Sequence, residues 1–267
     1  MIKSPCKIKL QKFLPLFLLS LMFLMIGCKR DTTVVPPDLT TYTNKSYGGI
    51  SLTNEKVLVV RNTNGLVNIQ GAASTDTLTW YLFKSVQAET QVKGDEKFSY
   101  LKLSTQTVGD TLFVDVYSTV KESNLICGVT LTVPSGFVCK IEEAVGNVNV
   151  SDLDSVLIIE NAPVVDLKRH NGSCQISGGT GNNSLELSLP ENGYCRVKIN
   201  NGNILLNIPA SVSASVYAKS LSGVVSQKGL TIAVDEQSSG FLSGKLGLGN
   251  GEIRLETSQG NIQIENL

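Results

Sequence analysis

The chain has 267 residues, and 23 Lys+Arg balance 23 Asp+Glu, with one His, one Trp and six Cys. That length can bury a sizeable core in one large or two modest domains. The absence of a basic excess argues against a nucleic-acid partner, and a single His excludes a multi-histidine metal site.

The first element is an export signal. Lys3, Lys7, Lys9 and Lys12 form a basic segment without an acidic residue, and the apolar run Phe13 to Ile26 leads to Gly27-Cys28. A basic start, a short apolar stretch and a small residue before the cut describe a signal peptide. The run falls short of the roughly 20 apolar residues that a comfortable membrane-spanning helix needs. Leu24-Met25-Ile26-Gly27-Cys28 resembles the lipobox of bacterial lipoproteins, with Met25 standing where that pattern usually has Leu. The resemblance implies cleavage before Cys28 and acylation of its thiol and amine. More than one acyl chain would make membrane residence stable. An uncleaved anchor helix or a plain secretory signal is the alternative.

Loss of residues 1–27 removes four lysines and no acids, leaving 19 basic against 23 acidic groups, so the exported chain is mildly acidic. Residues 28–47 are rich in Thr and Pro near their start and read as a tether. Residues 48–267 read as one β domain.

From Val57 onward the apolar residues alternate with a period of two. Val57–Val60, Leu66–Ile69, Leu78–Phe83, Tyr100–Leu103, Leu112–Val116 and Val129–Val133 fit strands rich in β-branched and aromatic residues. Asn64-Gly65, Gly109-Asp110 and Pro134-Ser135-Gly136 supply turns between some of them. No convincing helical period is present, and Ser85 to Lys97 is left open.

In the second half, clearest over residues 140–267, a short unit recurs. A Gly is followed by a polar or small residue and then by alternating apolar positions, at Gly146, Gly172, Gly202, Gly251 and Gly260, with weaker copies at Gly65 and Gly223. Spacings in the twenties suit one coil of a solenoid, with Gly at the corners and stacked coils burying an apolar column. The expected fold is all-β: a parallel β-helix or solenoid-like stack, with more irregular antiparallel strands in the N-terminal half. Asn147, Asn161, Asn171, Asn182, Asn201 and Asn203 fall near the corners, where stacked Asn side chains can bond along a ladder. An ordinary antiparallel sandwich with Asn-Gly hairpins is the competing architecture.

Val60 to Gly71, Leu131 to Gly136 and the Gly-x-Val/Ile-x-Val/Leu copies through Ile264 resemble the adhesin domain family of bacterial envelope proteins. The resemblance covers roughly Val57 to the C-terminus. It implies a right-handed parallel β-helix-like stack beneath a lipoprotein signal, and no catalytic residues.

Four cysteines remain in the body. Cys174 and Cys195 lie about one coil apart, and Cys127 and Cys139 flank the Pro134–Gly136 turn, so two disulfides are possible. The same four residues also suit small buried hydrophobes. His170, in a polar stretch, reads as a surface residue rather than a catalytic one. Glu142, Glu143, Asp152, Asp154, Glu160 and Asp166 cluster in sequence, and two of them on one face would suit a glycosidase-like or lyase-like site. Solvated turn carboxylates are the plainer account. Trp80 reads as core.

These features predict a non-enzymatic adhesive or structural module, anchored to the bacterial cell envelope through Cys28 and needing no metal or cofactor. Its partners would be the membrane, through lipid, and a glycan or protein ligand. A β-helix polysaccharide lyase or hydrolase and a periplasm-facing stability or sensing lipoprotein are the alternatives. The last segment, Gly260 to Leu267, has no visible cap, so it is expected to tuck under the N-terminal strands or to form a contact with a second copy.

Overall fold

The computed structural model describes residues 38–267 except Thr63 and Ser74; the expected signal peptide and Cys28 lie outside the described residues. The described residues form an all-β body of two large mixed sheets with one short helix and no closed barrel. No described helix is long and apolar enough to cross a membrane.

The ten-stranded sheet, sheet I, has β1 (Thr40–Ser51), β4 (Thr77–Ala88), β7 (Leu125–Pro134), β3 (Val67–Ala72) and β9 (Val148–Ser151) in spatial order. It continues through β11 (Val165–Asn171), β13 (Asn183–Ser188), β15 (Ile204–Ile208) and β21 (Ile262–Asn266) to β17 (Val225–Lys228). The eleven-stranded sheet II starts at β18 (Ile232–Ser238), β19 (Phe241–Leu246), β16 (Ala214–Ser222), β20 (Gly251–Gln259) and β14 (Tyr194–Asn201). It ends with β12 (Cys174–Ser177), β10 (Leu157–Glu160), β8 (Val138–Ala144), β2 (Val57–Asn62), β6 (Thr111–Ser118) and β5 (Leu101–Val108).

Sheet II strands β6, β2, β8, β10, β12, β14, β20 and β16 are each followed in sequence by a sheet I strand. Those followers, β7, β3, β9, β11, β13, β15, β21 and β17, stack in the same spatial order. Pairing within both runs is parallel. Antiparallel pairs close both ends, not only the N-terminal half: β1, β4 and β5 at one end, β18 and β19 at the other.

Alternation explains the core. Every second residue of each central strand points between the sheets. In sheet II one buried row runs Val60, Ile141, Ile159, Ile176, Val197, Leu255, Ala218. Sheet I answers with Ile69, Val150, Leu167, Leu185, Leu206, Ile264. Each fully buried Leu, Ile or Val contributes about 1.5–3 kcal/mol, and neither face could be buried by one strand pair alone.

The corners explain the glycines. Gly65, Gly146, Gly181, Gly202, Gly260 and Gly223 stack where the chain passes from sheet II to sheet I. A Cβ on Gly202 would stand 2.2 Å from the Gly181 carbonyl oxygen, and one on Gly260 2.1 Å from that of Gly202. Gly172 and Gly251 belong to the opposite corner, beside Ser155 and Gly193. The repeat seen in the sequence therefore mixes two corners. An Asn ladder runs beside the first column: Asn203 N–H donates to Asn182 Oδ1 at 2.9 Å, Asn261 N–H to Asn203 Oδ1 at 2.7 Å, and Val224 N–H to Asn261 Oδ1 at 2.9 Å. These bonds satisfy backbone donors that the turn takes out of the sheet ladder.

Three expectations change. Residues 40–47, assigned to the tether, are part of β1, which pairs with β4 over its whole length from Thr40 to Ser51. The open segment Ser85 to Lys97 divides between the end of β4 and α1 (Gln91–Phe98), where Thr90 Oγ1 accepts from Lys93 N–H and Lys84 Nζ donates to the Phe98 carbonyl at 3.2 Å. The C-terminal strand β21 is no edge, because it inserts between β15 and β17 with Ile262 and Ile264 fully buried. Among the described residues the strands at sheet edges are β1, β17, β5 and β18, so the expected edge pairing does not fall on β21.

Candidate functional site

The insertion of β20 between β14 and β16 brings arginine, lysine, glutamate and tyrosine side chains together on one outer face. Outward positions on these strands are Tyr194, Arg196 and Lys198 on β14, Glu252, Arg254 and Glu256 on β20, and Tyr217 and Lys219 on β16. Register sets Arg196 beside Arg254 and Arg254 beside Tyr217, with Glu256 between Lys198 and Lys219.

The arginines are held flat. Arg196 lies 4.7 Å over the Tyr194 ring, with its Nε donating to Glu252 Oε2 at 3.0 Å. Arg254 lies 4.4 Å over the Tyr217 ring, with its Nε donating to Glu256 Oε1 at 2.7 Å, and Phe241 meets Tyr217 edge-on at 5.3 Å. Hydrogen bonding by Arg196 holds the Glu252 carboxyl below its ordinary range and in turn raises the guanidinium. Lys198, Lys219 and Lys245 make no ion pair with any described residue.

Three shallow depressions join here. One of about 340 Å³ is lined by Gln175, Ser177, Arg196, Lys198, Arg254 and Glu256. A second, about 300 Å³, shares Lys198 and Glu256 with it and adds Lys219 and Leu221. The third, about 370 Å³, shares Lys219 and Leu221 and ends at Glu236 and Phe241.

Sheet I offers a different outer face. Tyr47, Tyr81, Thr130, Asn68, Asn149 and Asp166 follow one another across β1, β4, β7, β3, β9 and β11. Asn149 Nδ2 donates to Asn68 Oδ1 at 2.8 Å, and Asn68 Nδ2 donates to Thr130 Oγ1 at 3.1 Å. This surface carries a depression of about 390 Å³ with little free charge, because Asp166 pairs with Lys168 and Asp152 with Arg169.

The carboxylates singled out in the sequence are divided by the fold. Glu142 and Glu160 face outward on sheet II, Asp166 on sheet I, and Asp152 and Asp154 lie at the corner between β9 and β10. Glu142 and Glu160 do meet, across Lys140 Nζ, which stands 3.0 Å from one and 3.7 Å from the other. Arg61 Nε also donates to Glu142 at 2.7 Å. Arg61 and Lys140 together hold the Glu142 carboxyl below its usual range. Bonding from Arg169 lowers Asp152 likewise. A general acid for glycoside cleavage needs the opposite shift.

Cys174 and Cys195 are register partners, buried, with their sulfurs 3.5 Å apart as thiols. Cys127 and Cys139 do not meet across adjacent strands. They point into the core from opposite sheets, on β7 and β8, and burial pushes their thiols up to about 11 and about 12.

His170 is the clearest correction. It is 1% exposed, not a surface residue. A bulge at Arg169, with φ +48°, reverses the alternation of β11 and turns the imidazole inward. Nε2 lies 3.2 Å from the Ser173 carbonyl, which can only accept, so this contact favours the tautomer protonated on Nε2. Trp80 packs against the core, as expected.

The geometry defines an all-β protein with two long outer sheet faces, one basic and aromatic in its C-terminal part and one polar and nearly neutral. The chain matches no protein-family model and no curated protein. Among solved structures it is similar to a "putative cell adhesion protein" from Clostridium sporogenes ATCC 15579, at 11% identity and a TM-score of 0.48, over 85% of this chain and 100% of that one. It is also similar to a "putative adhesin" from Bacteroides fragilis NCTC 9343, at 12% identity and a TM-score of 0.32, over 86% and 99% of the two chains. A third is a "Putative lipid binding protein" from Parabacteroides distasonis ATCC 8503, at 13% identity and a TM-score of 0.21, over 84% and 97%.

Proposed function

We propose that this chain is a non-enzymatic adhesive module of the bacterial cell envelope, built as a two-sheeted parallel solenoid and anchored by lipid on Cys28. The solenoid reading is supported by the identical stacking order of the two sheets. Anchoring is supported by the lipobox-like Leu24 to Cys28. The observation that carries the adhesive reading is the outer face of sheet II, where three joined depressions bring Arg196, Lys198, Arg254 and Lys219 together without an enclosed cavity. Such a face suits a ligand that lies across strands, touching many side chains weakly, rather than a small substrate held deep.

Two experiments on bacteria carrying the full chain test this. Metabolic labelling with an alkyne fatty acid should mark the chain and fail on Cys28→Ala. Protease added to intact cells should remove the body, and the shaved cells should lose attachment to glycan-coated surfaces. A body that stays uncut on intact cells, or cells that attach equally well without it, would refute the adhesive reading.

A further inference from the structure

We propose that the joined groove on sheet II binds an acidic polysaccharide, carboxylated or sulfated, whose chain runs across the strands. This rests on the adhesive reading and names its ligand class.

Charge comes first. The lining residues of the three depressions include four basic side chains (Arg196, Lys198, Arg254, Lys219) against two acidic ones (Glu236, Glu256). Glu252, just outside the lining, pairs with Arg196 and Glu256 pairs with Arg254, so the free positive charge of the groove is that of Lys198 and Lys219. Arg254 already engages Glu256, whose register position lies between Lys198 and Lys219, so those two ammonium groups are left facing solvent without a counter-ion among the described residues. Two unpaired lysines flanking one occupied carboxylate attract a polyanion and are relieved of mutual repulsion by it.

Geometry gives the direction. Lys198, Glu256, Lys219 and Phe241 follow one another on neighbouring strands, so the row advances by about 4.8 Å per strand. A step of that size is close to the length of one sugar in an extended polysaccharide, so successive strands meet successive sugars. The partly exposed Phe241 and the exposed Leu221 supply apolar contact for the C–H faces of sugar rings at the β16–β19 end.

Ring occupancy distinguishes this ligand from single-stranded nucleic acid. Tyr194 and Tyr217 already have a guanidinium over one ring face, which leaves less ring face for base stacking. Glu252 and Glu256 hold the Nε edges of the two arginines, so the free cations offered to a polyanion are Lys198 and Lys219.

The test uses the intact chain in detergent micelles, with immobilised polygalacturonate, heparin, dextran and single-stranded oligo-dT as probes. The result expected is saturable binding to polygalacturonate or heparin and none to dextran, weakening on going from low to physiological salt. Lys198→Ala with Lys219→Ala should lower affinity at least tenfold. The charge-matched pair Lys168→Ala with Lys228→Ala, on sheet I, should change it less than twofold. Unfolding midpoints confirm that both double variants are folded. Equal binding to dextran, preference for oligo-dT, or equal losses from the two double variants would overturn the proposal. If cells still attach through the protein and soluble polygalacturonate does not compete, the ligand class is wrong and the adhesive reading stands. If shaved and unshaved cells attach alike, the adhesive reading itself has failed.

Discussion

Replacing corner glycines with alanine separates two costs that the stack combines. A Cβ on Gly202 would lie 2.2 Å from the Gly181 carbonyl oxygen, at a φ of +124° that L-residues rarely adopt. The neighbouring corner must give way by roughly 1 Å, against the hydrogen bond from Gly202 N–H to the Gln259 carbonyl at 2.7 Å. Overpacking at about 1–3 kcal/mol and backbone strain of similar size give about 3–5 kcal/mol for Gly202→Ala. Gly146 has the clash without positive φ, its Cβ falling 2.5 Å from the Gly65 carbonyl carbon, so Gly146→Ala costs about 1–3 kcal/mol. Gly109 has φ +65° with nothing within 4 Å, and its alanine costs about 1–2 kcal/mol. Gly136 has neither feature, and its alanine is neutral or stabilises by up to about 1 kcal/mol. Urea unfolding, followed through the single Trp80, gives all four values. If Gly202→Ala and Gly146→Ala unfold at the same urea concentration as Gly136→Ala, close corner stacking is not what these glycines provide.

Four further outcomes follow from particular side chains. Burial lowers the pKa of His170, so the folded chain keeps it neutral while the unfolded chain takes up a proton below about pH 6.5. The His170 contribution is therefore complete above that pH and is lost as pH falls toward the lower folded value, and His170→Gln should flatten the decline in urea midpoint between pH 7 and 5. Asn62 is fully buried and donates to the Leu66 and Cys127 carbonyls at 3.1 and 3.0 Å while accepting from Asn64 N–H. Asn62→Ala should cost about 2–4 kcal/mol in thermal or urea unfolding. Asn203→Ala, which removes one link of the Asn ladder, should cost about 1 kcal/mol, with Asn203→Asp closer to wild type because it keeps the acceptor. The buried thiols at Cys127, Cys139, Cys174 and Cys195 should resist Ellman's reagent in the folded protein and react once it is unfolded.

Much of the body was legible because alternation is a local signal. Leu112 to Val116 and Val129 to Val133 read directly as strands, and β6 and β7 contain them. Stacking order was not legible. Nothing near Gly251 to Ile264 marks β20 and β21 for insertion beside β14 and β15, since that placement depends on contacts far apart in sequence. For that reason the basic groove escaped notice: Arg196 and Arg254 become neighbours only through it. The phase of β11 was lost for a smaller reason. One bulge residue, Arg169, reverses inside and outside, so His170 points inward although its polar neighbours Lys168, Arg169 and Asn171 read as a surface stretch. Cys174 and Cys195 stand as register partners on neighbouring strands, whereas Cys127 and Cys139 lie in different sheets, because the turn between them carries the chain from one sheet to the other.

Both the groove and the proposed solenoid depend on the C-terminal strands β20 and β21 lying inside the two sheets, and pairwise crosslinking tests that placement most directly. Leu205, Gln263 and Ser226 occupy one outward row on β15, β21 and β17. Neighbours in that row are about 4.8 Å apart and next neighbours about twice that, beyond the span of a disulfide. Under mild copper oxidation Leu205→Cys with Gln263→Cys, and Gln263→Cys with Ser226→Cys, should crosslink rapidly. Leu205→Cys with Ser226→Cys should not. Efficient crosslinking of that last pair, with the first two silent, would place β17 beside β15, remove β20 from between β14 and β16, and contradict the account.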